Sequence, residues 1–415
     1  MSAAHPRTGA VASGEPAASA ASAALPWPSL LTLGAVTFTV VAAEMLPTAV
    51  LPAMSADLGV PASRTGLLVS AWALMVVVAS FPLVRLTRRV DGRGVIAGAV
   101  LVLGASSAVT AAAGSFGVAL GSRLVGAAAC GLLWATVNAH SAAIVPPDRL
   151  ARSVAVVLGG ATLGTVLGVP AASAAADVWG WRTGFVGVAV VSLPAAAAVL
   201  TLVRPAPGAV APGPETSPAA PSGASALRPV LVTAALGGLL LVGHFAAYTF
   251  VAPLLAGTAA RTPGGLSGLL LGFGVLSAVG TVLVGRVGDR RPALALVATA
   301  AAVTVVLALL GVLGRAPAVD LALVAVWGLA TGAFPPLAQT AIMRAAGPRL
   351  RSLAGTLIPV TFNLGIAVGA AAGSAVVAAH GLGALPLPAA AVAAAATLAL
   401  AAVALRPRPE RRTRA

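Results

Sequence analysis

The chain has 415 residues, 59% of them hydrophobic and only 8% charged, with a mean hydropathy of +1.01. A soluble domain carries about a quarter charged residues, so this composition excludes a water-facing surface for a chain of this size, and an all-α polytopic membrane protein is expected. The net charge of +15 would suggest nucleic acid in a soluble protein, but the basic residues are all Arg and most sit in same-side loops or in the tail Arg406-Pro-Arg-Pro-Glu-Arg-Arg-Thr-Arg414. Topology accounts for the charge, and no nucleic-acid partner is called for.

Residues 1–28 open the chain as a cytoplasmic extension rich in Ala, Ser, Gly and Pro, expected to be disordered; no apolar stretch of signal-peptide kind follows Arg7 before Pro26. Crossing a bilayer core of about 30 Å takes roughly 20 helical residues. Twelve such spans are predicted: Leu30 to Leu51, Gly66 to Val84, Val95 to Ala113, Val118 to Ala142, Ser153 to Ala175, Thr183 to Val203, Val230 to Leu255, Ser267 to Val284, Ala293 to Leu313, Leu321 to Met343, Ser352 to Ala378 and Ala384 to Leu405. Cys130, the one cysteine, falls in the fourth span, so an internal disulfide is excluded and helix packing is its expected role.

Arg-rich loops such as Arg85-Leu-Thr-Arg-Arg-Val-Asp-Gly-Arg93 and Arg344-Ala-Ala-Gly-Pro-Arg-Leu-Arg351 alternate with Arg-free ones such as Gly114-Ser-Phe-Gly117. That alternation places both termini in the cytoplasm of a cell with a multi-pass inner (plasma) membrane protein. The Pro, Ala, Gly and Ser-rich stretch 204–228 reads as a cytoplasmic linker between two six-helix bundles, 29–203 and 229–405, with a basic tail at 406–415. An internal repeat supports the division: Gly66-Leu-Leu68 leads to Arg88-Arg89 at the same spacing at which Gly268-Leu-Leu270 leads to Arg290-Arg291. Two halves of parallel topology are expected.

Inside these apolar runs a few residues carry chemistry. Glu44 is a carboxylate within the first span, which costs roughly 2.5 to 3.5 kcal/mol on the milder insertion scales and marks a candidate site for proton coupling. Arg123 lies at a similar depth in the fourth span, so the two are expected to meet, either as an ion pair or as a carboxylate whose proton affinity the guanidinium controls. His244, at about the depth of Glu44, is suited to relaying protons or to donating to a substrate oxygen. Trp72, Trp134, Asn138, Phe245, Tyr248, Gln339, Phe362 and Asn363 are candidates for a mainly apolar cavity with few polar anchors. Gly164, Gly168 and Pro170 suit a bend and close helix contact in the fifth span.

Several of these residues carry a family resemblance over roughly Ala35 to Leu405. Glu44-Met-Leu-Pro-Thr-Ala-Val-Leu-Pro52 with Ala56-Asp-Leu-Gly-Val60, Arg123 with Gly126 and Gly131, Gly164-Thr-Val-Leu-Gly168-Val-Pro170, and Trp181-Arg182 with Phe185 resemble motifs of the major facilitator superfamily, in its drug:proton antiporter branch of arabinose-efflux and chloramphenicol-exporter type. Gly285-Arg-Val-Gly-Asp289-Arg290-Arg291 resembles the superfamily's loop motif, whose counterpart in the first half departs at Thr87, where an acidic residue is expected. The resemblance implies the twelve-helix major facilitator fold, a seal at Gly164, Gly168 and Pro170, and an inner gate at Gly285, Asp289 and Arg290.

The expected function is proton-coupled export of a small, largely apolar drug-like molecule by alternating access, with a sugar or other metabolite as the alternative cargo. A polytopic enzyme or sensor is the other class. HExxH, Walker and Cys/His metal motifs are missing from the sequence, which speaks against an enzyme, a cofactor or a bound metal. The expected partners are the substrate, protons and the lipid bilayer, with the protein working as a monomer.

Overall fold

The computed structural model describes residues 25–146, 149–206, 224–287, 291–313, 316–347 and 350–404. Asp289, Arg290, most of the expected linker, residues 1–24 and the basic tail therefore lie outside the described residues, while Trp27 and Pro28 of the expected extension already belong to the first helix. Among the described residues twelve helices are long and apolar enough to cross a membrane. In chain order they are α1 (Trp27–Asp57), α2 (Ala62–Thr87), α3 (Gly92–Ala111), α4 (Phe116–Ala143), α5 (Ser153–Trp179), α6 (Arg182–Leu202), α7 (Ala224–Tyr248), α8 (Gly265–Val287), α9 (Pro292–Leu309), α10 (Pro317–Ala346), α11 (Arg351–His380) and α12 (Pro386–Ala404). Helices are the element that satisfies every backbone group within one segment, which lipid demands.

Two spans are less regular than expected. The seventh, read as one helix to Leu255, stops at Tyr248 and resumes as a short helix Val251–Ala259. Pro253 explains the break: it has no N–H to offer Thr249, so the helix does not run through. The fifth contains one π-helical turn, Gly164–Gly168, followed by Pro170, which likewise has no N–H for the carbonyl four residues back.

Packing follows the repeat seen in the sequence. In the first half α1 packs on α5, α2 on α4 and α3 on α6; in the second half α7 packs on α11, α8 on α10 and α9 on α12. Small residues allow these approaches. A side chain on Gly160 would strike the carbonyl of Gly34, and one on Gly332 would strike the carbonyl of Ser277. The two halves meet through α2 on α11 and α5 on α8, pairs that exchange under the same repeat.

Several contacts across that seam lie toward one end of the bundle. The Ser70 hydroxyl donates to the Ala367 carbonyl at 2.5 Å, the Ser267 hydroxyl donates to Asp177 at 3.4 Å, and Leu51, Phe250 and Leu385 form one buried apolar cluster. All lie toward the end where α1, α5 and α11 finish and α2 and α8 begin. Asp57 fastens the first half at the same end: it accepts from Trp181 Nε1 at 3.2 Å and pairs with Arg182, which also donates to the Ala113 carbonyl at 2.9 Å.

Candidate functional site

Between the halves lies a cavity of about 220 Å³. Met45 of α1 and Thr165 of the π turn line it from the first half; His244, Phe245 and Tyr248 of α7, Phe273 and Ser277 of α8 and Thr331, Phe334 and Pro335 of α10 line it from the second. The lining is apolar with a few polar atoms, as small-molecule sites are. His244, Phe245, Tyr248, Phe273 and Trp327 form a connected ring cluster: Tyr248 stacks on His244 at 5.2 Å between centroids, and Trp327 stands edge-on to His244 at 5.8 Å. Trp327 Nε1 donates to His244 Nδ1 at 3.1 Å.

Three of the expected residues thus come together at the cavity: His244, Phe245 and Tyr248. Glu44 is half-buried and adjoins the lining through its neighbour Met45. The other candidates lie elsewhere. Trp72 is buried beneath Arg123, Trp134 and Phe362 are half-buried against the core, and Asn138 is exposed. Asn363 donates to the Pro359 carbonyl of its own helix at 3.0 Å. Gln339 is exposed and lines a separate cavity of about 460 Å³ with Pro336, Met343 and Arg344, near the end of α10.

Glu44 and Arg123 are neighbours, but not through their charged groups. Arg123 Nη1 donates to the Ala43 carbonyl at 2.7 Å and Nη2 to the Glu44 carbonyl at 3.2 Å, while its guanidinium lies 3.8 Å from the centre of the Trp72 ring. No ion pair within 4.0 Å joins the Glu44 carboxylate to it. The chain explains the arrangement. Pro47 stands four residues after Ala43 and has no N–H, so the Ala43 carbonyl has no helical donor and is open to Arg123. Arg123 Nε and Trp72 Nε1, two buried donors, have no partner among the described residues.

Gly164 and Gly168 bring α5 onto α1: a Cβ at Gly164 would lie 2.7 Å from the Phe38 carbonyl oxygen, and one at Gly168 would lie 2.8 Å from Ala42 Cβ. Pro170 is buried just past the π turn. Gly285 lies in the last turns of α8.

Sequence reading missed Trp327, Phe273 and Thr165 at the cavity. The scarcity of aromatics, with 6 Trp, 9 Phe and 1 Tyr in the chain, was the available signal for the first two. It also missed Asp320, one residue before the expected tenth span. Asp320 is fully buried in the first turn of α10, where it accepts from the Thr258 hydroxyl at 2.8 Å and faces Arg261 at 3.5 Å.

A twelve-helix membrane protein with two repeated halves and a central apolar cavity is built as a small-molecule transporter, not as an enzyme. The chain belongs to the Major Facilitator Superfamily, whose sequence profile matches residues 33–358. It is similar to a chloramphenicol resistance protein of Streptomyces lividans, 34% identical over 328 residues that cover 79% of this chain and 83% of that one. It is also similar to a probable sugar efflux transporter of Mannheimia succiniciproducens, 28% identical over 341 residues that cover 82% and 84% of the two chains. Among solved structures the nucleoside transporter NupG shares the fold, with a TM-score of 0.70 at 15% identity over 92% of this chain and 100% of that one.

Proposed function

We propose that this protein exports a small, largely apolar drug-like compound from the cell in exchange for protons, by alternating access across the plasma membrane. The observation that carries the reading is Glu44, a half-buried carboxylate at membrane depth, one residue before the cavity-lining Met45 and with no ion pair to hold it. Such a group can take and release a proton as the cavity opens to one side or the other, while Arg123, bound to the backbone on either side of it, sets the local field. The gate at Gly285, Asp289 and Arg290, the seal at Gly164, Gly168 and Pro170, the cytoplasmic termini and the monomeric state belong to the same reading.

Cargo class rests on the lining and on the relatives. The lining is mostly hydrocarbon and aromatic, and the Streptomyces relative is named for chloramphenicol resistance. Export of a sugar is the second reading, favoured by the name of the Mannheimia relative; the shortage of polar groups in the cavity weighs against it.

The test is proton-gradient-driven uptake of chloramphenicol into inverted vesicles holding purified protein. Glu44→Gln keeps shape and hydrogen bonding but has no proton to exchange, so uphill accumulation should vanish while chloramphenicol binding and downhill exchange persist. Full accumulation by the variant would remove Glu44 from the coupling role, and no chloramphenicol movement by the wild type would remove the cargo class.

A further inference from the structure

His244 is the one cavity-lining residue whose protonation pattern the surrounding structure dictates. An indole N–H only donates, so the bond from Trp327 Nε1, 3.1 Å long, requires a lone pair on His244 Nδ1. A neutral imidazole with a bare Nδ1 carries its proton on Nε2. The bond from Trp327 is the one the His244 ring makes among the described residues, which leaves that Nε2 without a partner on a side chain that lines the cavity. A second proton on the ring would have to sit on Nδ1, where it would break the Trp327 bond and point two donors at each other.

The neighbours offer such a proton little compensation. On its own helix His244 faces Phe245 and Tyr248, on α8 Phe273 and on α10 Trp327. From α1 the nearest chemistry is Glu44, one residue from the lining Met45. Other charged positions on the packed helices, Asp320 and Arg344 of α10 and Arg351 and His380 of α11, fall in first or last turns, and α12 has none.

The other polar atoms of the lining are hydroxyls of two kinds. The Thr331 hydroxyl donates to the carbonyls of Trp327 at 2.8 Å and Gly328 at 3.0 Å, and the Thr165 hydroxyl donates to the Ala161 carbonyl at 3.4 Å. Their protons are held by their own helices, so they face a ligand as acceptors, whereas the Ser277 and Tyr248 hydroxyls, which also line the cavity, make no hydrogen bond among the described residues and can donate as His244 does. No charged side chain lines the cavity among the described residues.

We propose that His244, locked by Trp327 as the Nε2–H tautomer, is a specificity-determining donor of this cavity, taking a carbonyl, nitro or ether oxygen of a neutral, largely apolar substrate, and that it carries no coupling proton. The assignment rests on the cavity being the substrate site. It separates His244 from Glu44, which would serve coupling alone.

Two measurements on the full-length protein in lipid bilayers test it. Nitrogen NMR of histidine-labelled protein, with His244 assigned by its loss in His244→Gln, should show a neutral Nε2–H ring throughout the pH range of about 5 to 8, where a free imidazole changes charge. Trp327→Phe should release the lock and give a mixture of tautomers. An Nδ1–H ring, or titration of His244 within that range in the wild type, overturns the proposal whether or not the cargo is correct.

The second measurement uses chloramphenicol as the probe. Gln carries a donor at the depth of Nε2, whereas Asn carries its polar atoms only at the depth of Nδ1. His244→Gln should bind within about threefold of wild type and His244→Asn about tenfold more weakly, with the ratio of protons to substrate unchanged in both. Equal binding by both variants, or a lower proton ratio in either, overturns the donor role. Wild-type protein that binds no chloramphenicol at all would refute the cargo class and leave the tautomer to be judged by NMR.

Discussion

At the scale of single residues, the centre of the first half is organised by a residue that lacks a donor. Pro47 withholds an N–H from Ala43, and the guanidinium of Arg123 supplies two in its place, to Ala43 and Glu44, while stacking on Trp72. Lysine has no planar fork and cannot stack in the same way. Arg123→Lys should therefore lose one charged hydrogen bond and the stack, about 2 kcal/mol of fold stability, read as an earlier transition in a detergent-unfolding titration. Pro47→Ala returns a helical donor to Ala43 and should weaken the hold on Arg123 without removing it, so its transition should fall between wild type and Arg123→Lys. An unchanged midpoint in Arg123→Lys would show that these contacts add nothing to stability.

At the scale of elements, α5 shows how small residues and one proline shape a span. Gly160, Gly164 and Gly168 lie against α1, and the π turn before Pro170 brings Thr165 into the cavity lining. A Cβ at Gly168 would already crowd Ala42, so Gly168→Leu should force α1 and α5 apart. Overpacking of this kind costs about 1–3 kcal/mol, and the expected outcome is protein that reaches the membrane but exports nothing, measured by drug susceptibility of the host beside a membrane-fraction blot. Export at the wild-type level would remove the role given to this contact.

At the scale of the whole molecule, the halves meet through α2 on α11 and α5 on α8, with the hydrogen bonds of Ser70 and Ser267 toward one end of the seam, which suits a rocking exchange of access. A Cβ at Gly66 would lie 2.7 Å from Ser374 Oγ, close enough for a disulfide after modest adjustment. In a Cys130→Ala background, Gly66→Cys with Ser374→Cys should stop transport on oxidation and recover it on reduction; transport by fully cross-linked protein would show that this end need not open. The Arg alternation makes a separate prediction about orientation: reporters fused at the C-terminus and in the loop near Arg261 should report opposite sides of the membrane, and agreement between them would break the twelve-span topology.

How much of this was legible beforehand differs by scale. Composition and span length alone determined a twelve-helix membrane protein, because lipid accepts few other structures and each span carries its own signal within about 20 residues. The repeat of Gly-Leu-Leu and paired Arg at one spacing in each half announced the two-half architecture. Glu44 stood out because a carboxylate in hydrocarbon is costly wherever the chain goes. Partners were another matter. Depth along a helix placed Arg123 near Glu44, but only the packed structure decided that it binds backbone carbonyls, since helix rotation and the carbonyl freed by Pro47 set the contact. The same holds for Trp327 on His244, 83 residues away in sequence, and for Trp72, which packs under Arg123 and not at the cavity. Apolar, Ala-rich spans carry little periodic contrast, so which face of each helix turns inward is decided by tertiary packing of small residues against their neighbours.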